Sequence, residues 1–347
     1  MKVIVNARFL TQELTGVQRY AIECSMQIKQ TTNEAIFVSP KNIRHPELAA
    51  ALGVIPFGKL EGHLWEQIEL YQYLRKEGNP PLLNLGNTGP VLYGNNYSCI
   101  HDLAFFHRPD WNSRMFGLWY RFLIPRLARK AKHIFTVSNS IKDEIEQVLS
   151  IDGSKISLTY NGIANAFQNQ NREVKKRKQL LVVGTFNRRK NHDVVIMAFL
   201  ASPIAADYKL IIAGDRVEIS KQFKVVSLDQ DLPNVQIIDR PDDLALIRLY
   251  QESEMLVSLS SYEGFGLPVL EGLYFGCKVI CSDIPSYREL FINCVYFCDT
   301  FDTNEIGLLM ATVSNADVSD RKPSPDLFEL YNYARSASHI LQKISGN

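Results

Sequence analysis

Residues Ser260-Ser261-Tyr262-Glu263-Gly264-Phe265-Gly266-Leu267-Pro268-Val269-Leu270-Glu271 follow the apolar run Met255-Leu256-Val257-Ser258 and open a helical pattern. A strand, a glycine-rich turn and a helix in that order are the repeating unit of a parallel α/β sheet. Gly264 and Gly266 let the backbone approach a ligand closely, and Pro268 suits the first turn of the helix. Free N–H groups and the helix dipole at such a point favour an anion such as a phosphate. Glu263 precedes the helix, and Glu271, eight residues later, falls about one turn into it. A carboxylate beside a phosphate cradle is repelled unless it binds something else, and sugar hydroxyls are its natural partner. The alternative is a capped core helix carrying two exposed glutamates.

Working outward, the same grammar governs the whole chain. In the first half, apolar runs at Val3–Val5, Ile36–Val38, Leu82–Leu85, Ser98–Ile100, Ile134–Val137 and Ile156–Leu158 alternate with helical patterns near 16–30, 63–77, 112–131 and 139–149. A second series runs through Leu180–Val183, Leu210–Ala213, Val235–Ile238, Met255–Ser258, Lys278–Ile280 and Val295–Phe297. Helices are expected between those runs near 191–202, 216–229, 242–252, 267–275, 284–291 and 303–314, with a last one over 326–344. Strands separated by helices imply parallel βαβ units with both sheet faces covered. The pattern predicts two Rossmann-like domains facing across a cleft. They are an N-terminal domain over 1–165, a polar and charged linker over 166–178 and a C-terminal domain over 179–322. Residues 323–347 are expected to pack back toward the first domain. Ligands in such sheets bind beyond the carboxyl ends of the strands. There lies Val183-Gly184-Thr185-Phe186-Asn187-Arg188-Arg189-Lys190-Asn191, whose Arg and Lys side chains suit phosphate oxygens. Read alone, it is equally a solvated basic turn. It lacks the Gly-Lys-Ser/Thr of a P-loop, and Gly264-Phe265-Gly266 lacks the third glycine of a dinucleotide fingerprint.

Composition narrows the function. The 347 residues carry 38 basic and 37 acidic side chains, so a uniformly basic nucleic-acid binder is excluded. With 46% apolar residues, wholesale disorder is excluded too. The balance hides an asymmetry: residues 1–170 hold 18 basic against 14 acidic side chains, and residues 171–347 hold 20 against 23. No apolar run approaches the roughly 20 residues of a membrane span. The start lacks a signal-peptide pattern, and six cysteines in a chain this long make no disulfide scaffold. A cytoplasmic protein is expected.

Glu263-x7-Glu271 around Gly-Phe-Gly-Leu-Pro, with Gly184…Arg189-Lys190-Asn191 upstream, resembles the retaining glycosyltransferases of family 4, which have the GT-B fold. Further matches run in order along nearly the whole chain. They are Arg8-Phe9-Leu10, Thr15-Gly16-Val17-Gln18-Arg19-Tyr20, Trp65-Glu66-Gln67, His101-Asp102-Leu103, Pro109-Asp110-Trp111, Val137-Ser138, Tyr160-Asn161-Gly162 and Ala213-Gly214. The resemblance is nearest to bacterial mannosyltransferases of surface-polysaccharide (O-antigen, capsule, exopolysaccharide) synthesis. It implies an enzyme that moves a hexose, mannose from GDP-mannose, onto a lipid-linked saccharide acceptor with an α linkage, using no metal or cofactor. Gly16 and Gly184 are then expected to face the donor diphosphate, and Arg189 and Lys190 to grip it. Glu263, with the backbone N–H groups of Gly264, Phe265, Gly266 and Leu267, would hold the donor sugar. Glu271 would bind ribose hydroxyls, Ile238 and Asp239 would line the base, and His101 would reach the sugar or the incoming hydroxyl. Some relatives place an arginine directly after the glycine, where this chain has Thr185, so Arg188 is the alternative clamp to Arg189. Open alternatives are a UDP-sugar or GDP-deoxyhexose donor, a nucleotide-sugar epimerase or phosphorylase, and a nucleotide-sugar-binding subunit without activity.

Other features have plainer readings. Cys277-x3-Cys281 and Cys294-x3-Cys298 lie in or beside apolar strands and read as buried thiols, since structural zinc prefers closer pairs. Asp229-Gln230-Asp231 reads as surface charge, and His107, His133, His192 and His339 as histidines without a role. Residues 112–132 mix Leu118, Trp119 and Phe122 with Arg121, Arg126, Arg129, Lys130 and Lys132. Such a helix either seats the protein peripherally on an anionic membrane or buries its apolar side against the first sheet and leaves a basic outer face.

Overall fold

The short apolar runs pair as parallel strands in two separate sheets. The computed structural model describes residues 2–107, 114–172, 174–215, 232 and 234–346. The first sheet contains β1 (Val3–Asn6), β2 (Ala35–Ser39), β3 (Ile55–Pro56), β4 (Leu82–Asn84), β5 (Asn96–Cys99), β6 (His133–Thr136) and β7 (Ile156–Leu158). Its order is β3-β2-β1-β4-β5-β6-β7, every pairing parallel. The second contains β8 (Arg177–Val183), β9 (Lys209–Gly214), β10 (Val235–Asp239), β11 (Ser253–Ser258), β12 (Lys278–Ser282) and β13 (Tyr296–Cys298), ordered β10-β9-β8-β11-β12-β13 and again parallel throughout.

The central strands are buried on both faces: Val3, Ile4 and Val5, and likewise Leu180, Leu181 and Val182, are all buried, because helices cover both sides. In the first sheet Ile4, Val38 and Leu82 pack with Trp65, Leu70, Leu74 and Tyr93, and the Trp65 indole donates to Phe57 O at 3.0 Å. In the second, Val182, Ile212 and Val257 pack with Phe186, Phe199, Ile306 and Met310.

The chain divides into two compact units: Met1–Ala164 with Leu330–Asn347, and Asn165–Glu329. Two expectations change and two short elements are new. The stretch read as a linker is packed onto the second unit. Phe167 is fully buried, 6.3 Å from the Tyr250 ring and 6.0 Å from that of Phe275. Lys176 Nζ donates to the carbonyls of Tyr250 (3.0 Å) and Phe275 (2.7 Å), and Arg177 already begins β8. One aromatic and one half-buried ammonium anchor a segment that looks like a solvated tether. Second, the terminal helix is two helices, Pro325–Leu330 and Tyr333–Ser345, the latter capped by the Asn332 side chain on Ala334 N (2.8 Å). The break between them falls where the chain passes from the second unit to the first. The short β3 and the helix Pro46–Leu52 carry too little periodicity to be read from sequence. The helix expected at 216–229 and the Asp229-Gln230-Asp231 cluster lie outside the described residues.

Candidate active site

In the second unit β8 ends at Val183 and is followed by Gly184, whose φ of +147° is a conformation glycine adopts cheaply. The chain then makes a single 3-10 turn, Arg188–Lys190, capped by Asn187, whose side chain accepts from Lys190 N at 3.2 Å. Asn191 sits in the left-handed region (φ +50°) and donates through Nδ2 to Leu259 O (2.7 Å) and Ser261 Oγ (2.9 Å). Ser261 N donates back to Arg189 O at 2.8 Å. These bonds fasten the basic turn to the Ser260–Glu271 stretch, so the two motifs read separately in sequence form one site.

The centre of that site is the Glu263 carboxylate. Lys190 Nζ lies 2.6 Å from its Oε1 and Arg189 Nη1 3.3 Å from its Oε2, while Arg189 also donates to Tyr262 O at 3.1 Å. Burial alone pushes a carboxyl pKa up. Here Arg189 and Lys190 outweigh burial, with help from Ser260, and hold Glu263 at about 2. Glu263 is therefore ionised and is purely a hydrogen-bond acceptor. Arg188, the alternative clamp, is exposed.

Behind this centre the glycine turn is sterically determined. Gly266 has φ +104°, and a Cβ there would lie 2.4 Å from Tyr287 Cε1. Tyr287 is fully buried, its hydroxyl 2.9 Å from Ser258 Oγ at the end of β11. Phe265 turns its ring into the core against Phe291 (6.0 Å). Leu267 opens the helix Leu267–Tyr274, with Pro268 in its first turn. Glu271 is 4% exposed and accepts from the Tyr250 hydroxyl at 2.7 Å. The reading of two exposed glutamates is thus overturned for both. Asp239, the last residue of β10, pairs with Gly214, the last of β9, beside Ile238. Gly214 is a residue whose importance sequence reasoning undervalued. A Cβ there would fall 1.8 Å from Gly184 O, so the strand end beside the basic turn tolerates no side chain.

The first unit holds the other two predicted residues. Gly16 is exposed at the start of the helix Gly16–Thr31, whose capping box joins Thr15 and Gln18. His101 follows β5 and is 6% exposed. Its N–H donates to Asn87 Oδ1 (2.8 Å), and its ring stands edge-on to Tyr20 at 4.8 Å. Nε2 lies 2.8 Å from Leu85 O. A carbonyl only accepts, so Nε2 carries the proton and Nδ1 is the acceptor. Burial lowers the His101 pKa and keeps the ring neutral.

The other features resolve simply. Cys277, Cys281, Cys294 and Cys298 are buried free thiols, and no cluster of three or more His, Cys, Asp or Glu able to hold a metal occurs among the described residues. His192 is buried against the Phe186 ring at 4.8 Å. In the described part of the basic aromatic segment, Arg114–Lys130, Leu123, Ile124, Leu127 and Ala128 face the core while Leu118, Trp119 and Phe122 are exposed. The reading with the apolar side buried against the first unit therefore holds for Leu123, Ile124, Leu127 and Ala128. No described helix is long and apolar enough to cross a membrane.

With the geometry in place, comparison with known families is decisive. Residues 14–166 match Glycosyltransferase Family 4, and residues 164–322 match Glycosyl transferases group 1. The chain belongs to the glycosyltransferases built from these two domains, and its fold is GT-B. It is similar to the O-antigen chain mannosyltransferase RfbU of Salmonella typhimurium, 28% identical over 307 residues that cover 84% of this chain and 85% of that protein. It is also similar to N-acetylgalactosamine-N,N'-diacetylbacillosaminyl-diphospho-undecaprenol 4-alpha-N-acetylgalactosaminyltransferase of Campylobacter jejuni, 30% identical over 200 residues, 56% of this chain and 52% of that protein. Among solved structures, Anabaena HepE in complex with UDP-glucose superposes with a TM-score of 0.76 over all of both chains at 14% identity, a likeness of fold.

Proposed function

We propose that this glycosyltransferase moves mannose from GDP-mannose, with retention of configuration, to a lipid-linked saccharide acceptor in bacterial surface-polysaccharide synthesis. The observation that carries the reading is the Glu263 carboxylate held between Arg189 and Lys190 beside the Gly264–Gly266 turn. One anion between two cations leaves a positive excess for a diphosphate, and an ionised carboxylate suits sugar hydroxyls. In this reading Arg189 and Lys190 hold the diphosphate and offset the charge that develops as it leaves, typically the largest catalytic term. Gly184 and Gly16 give the phosphates close backbone approach, and Glu263 with the N–H groups of Phe265, Gly266 and Leu267 orients the sugar. Glu271 takes the ribose, and Ile238 and Asp239 border the base. His101 Nδ1 accepts from the sugar or the incoming hydroxyl. The bond from the anomeric carbon to the phosphate oxygen breaks as the acceptor oxygen bonds on the same face, and the departing phosphate oxygen takes the acceptor's proton. No protein nucleophile, metal or cofactor enters the step.

The sugar and the pathway are suggested by the Salmonella relative's name, and the lipid carrier by the diphospho-undecaprenol in the Campylobacter relative's name. A peripheral seat on an anionic membrane at its cytoplasmic face is suggested by exposed Leu118, Trp119 and Phe122 beside Arg126, whose guanidinium lies 3.6 Å from the Phe122 ring centroid. The test is titration with GDP and UDP, followed by transfer assays with GDP-mannose, GDP-fucose and UDP-glucose with and without chelator. GDP and GDP-mannose are expected to be preferred, with transfer unaffected by chelator. A preference for UDP-sugars replaces the donor assignment. If no nucleotide sugar is bound or turned over and Lys190→Ala behaves as wild type, the reading is wrong.

A further inference from the structure

The carboxylate between Arg189 and Lys190 also bears on what the site holds and what it releases. The Glu263 and Lys190 side chains are each 11% exposed. A carboxylate so enclosed stays ionised only while opposite charge compensates its lost hydration. Among the described residues, the cations paired with it are Arg189 and Lys190. The titratable groups close to this cluster add no charge. Tyr287, under the glycine turn, is neutral because burial and then Glu263 raise its pKa well above the ordinary value. His192, two residues after Lys190, is neutral because burial and then Lys190 lower its pKa to about 3.

The two cations are not held alike. Arg189 Nη1 also donates to Tyr262 O at 3.1 Å, which keeps it on the loop independently of Glu263. Lys190 Nζ donates to Glu263 Oε1 at 2.6 Å, and its stem crosses Gly184, where a Cβ would crowd Lys190 Cε at 3.2 Å. A diphosphate gripped by Arg189 and Lys190 draws this compensation away from Glu263. What replaces it depends on the ligand. In a nucleotide sugar the diphosphate is esterified at both ends, so each phosphorus carries a single negative charge, and the sugar beyond it offers hydroxyl donors to the carboxylate. A free nucleoside diphosphate ends in a phosphate charged about −2 and offers no donor. It sets a second anion beside Glu263 in an enclosed site, where like charges repel more strongly than in water.

We propose that Glu263 is a built-in competing anion that selects sugar-bearing nucleotides over free nucleoside diphosphates. It pairs with Lys190 in the empty site and with sugar hydroxyls in the donor complex. Once the sugar has left, it repels the terminal phosphate and takes Lys190 back, which drives product release. The inference rests on the donor reading and adds discrimination between donor and product to it. The test is titration calorimetry of the full chain with two matched pairs, GDP with GDP-mannose and UDP with UDP-glucose, at neutral pH. Wild type should bind the nucleotide sugar of its preferred pair about tenfold or more tightly than the matching free nucleotide. Glu263→Gln, which keeps the shape but loses the charge, should bind that free nucleotide about tenfold or more tightly than wild type does. It should bind the nucleotide sugar no more tightly. Glu263→Asp, which keeps the charge, should bind the free nucleotide as weakly as wild type. Melting curves check that each variant folds. Loss of a merely structural contact weakens both ligands, so tightening of one alone is specific to the competing charge. The proposal is overturned if wild type binds the free nucleotide as tightly as the nucleotide sugar. It is equally overturned if folded Glu263→Gln binds the free nucleotide no more tightly than wild type, or gains the same factor for both ligands. In each case the donor reading stands, since wild type still binds the nucleotide sugar. A wild type that binds neither ligand of either pair fails the donor reading, and this inference with it.

Discussion

The Glu263 carboxylate shows how a residue at this site is set by its neighbours. Its pKa falls from an ordinary 4.5 to about 2 because two cations share it. The folded value lies below the unfolded one, so the stabilisation is complete above pH 4.5 and fades as the pH falls toward 2. At 1.36 kcal/mol per pH unit this is roughly 3 kcal/mol. Thermal melting of Glu263→Gln against pH should therefore show a smaller loss of stability in that window than wild type. Its melting temperature at neutral pH should also be lower, because two partly buried cations lose their counter-charge. An unchanged acid profile would refute the pairing. For catalysis, Lys190→Ala should lower kcat about 10²–10³-fold in a donor-transfer assay, the usual consequence of losing a charge-stabilising donor. The residues of the clamp were legible in the sequence as residue types, and their union was not. Lys190 and Glu263 are 73 positions apart and meet only because β8 and β11 are neighbours in the sheet. Glu271 and His101 were also legible as candidates, but their burial behind Tyr250 and against Tyr20 followed from packing.

At the scale of elements, the glycines decide where the backbone can go. Gly266→Ala forces a side chain into a positive-φ position and onto the Tyr287 ring. A destabilisation of about 2–4 kcal/mol is expected, read as a lower denaturation midpoint together with weakened nucleotide binding. A neutral outcome would show that the turn relaxes freely. The helix Arg114–Lys130 makes the opposite prediction. Leu118 is 68% exposed and Phe122 49%, so the pair Leu118→Asp and Phe122→Asp should leave the melting temperature nearly unchanged. Partition onto phosphatidylglycerol vesicles in a sedimentation assay should fall about tenfold or more, since each buried apolar side chain contributes roughly 1.5 kcal/mol or more. Equal partition of both proteins would remove this helix from the membrane reading. The strands were the most legible elements, because runs such as Val3-Ile4-Val5 and Leu180-Leu181-Val182 suit only a position covered on both faces. The helix Pro325–Leu330 and its break at Asn332 were not, because a polar cap rather than a change of period ends the pattern there.

At the scale of the whole molecule, the chain leaves the first unit at Ala164 and returns to it at Leu330. The returning helix Tyr333–Ser345 buries Tyr333, Ala337, Ile340 and Ile344, and Ser336 Oγ donates to Tyr160 O at 2.7 Å. Tyr333 stands 6.0 Å from the Tyr20 ring, which in turn stands against His101. Truncation after Glu329 should therefore lower amide-exchange protection in residues 2–107 and 134–164 while leaving 177–215 and 253–314 protected. Uniform loss would show that the units do not stabilise independently. The uneven charge along the chain also gains a location: some of the basic excess of the first half lies on the helix that exposes Leu118, Trp119 and Phe122. Alone, the sequence determined the two parallel α/β sheets, the order of their strands along the chain and the residues of the basic turn and of the glycine-rich turn with its two glutamates. Those properties depend on local periodicity and turn chemistry. Only the tertiary structure decided which motifs meet, which glutamates are buried, and that the tether is part of a packed unit. Those outcomes depend on pairings between positions far apart in the chain, which no local pattern encodes.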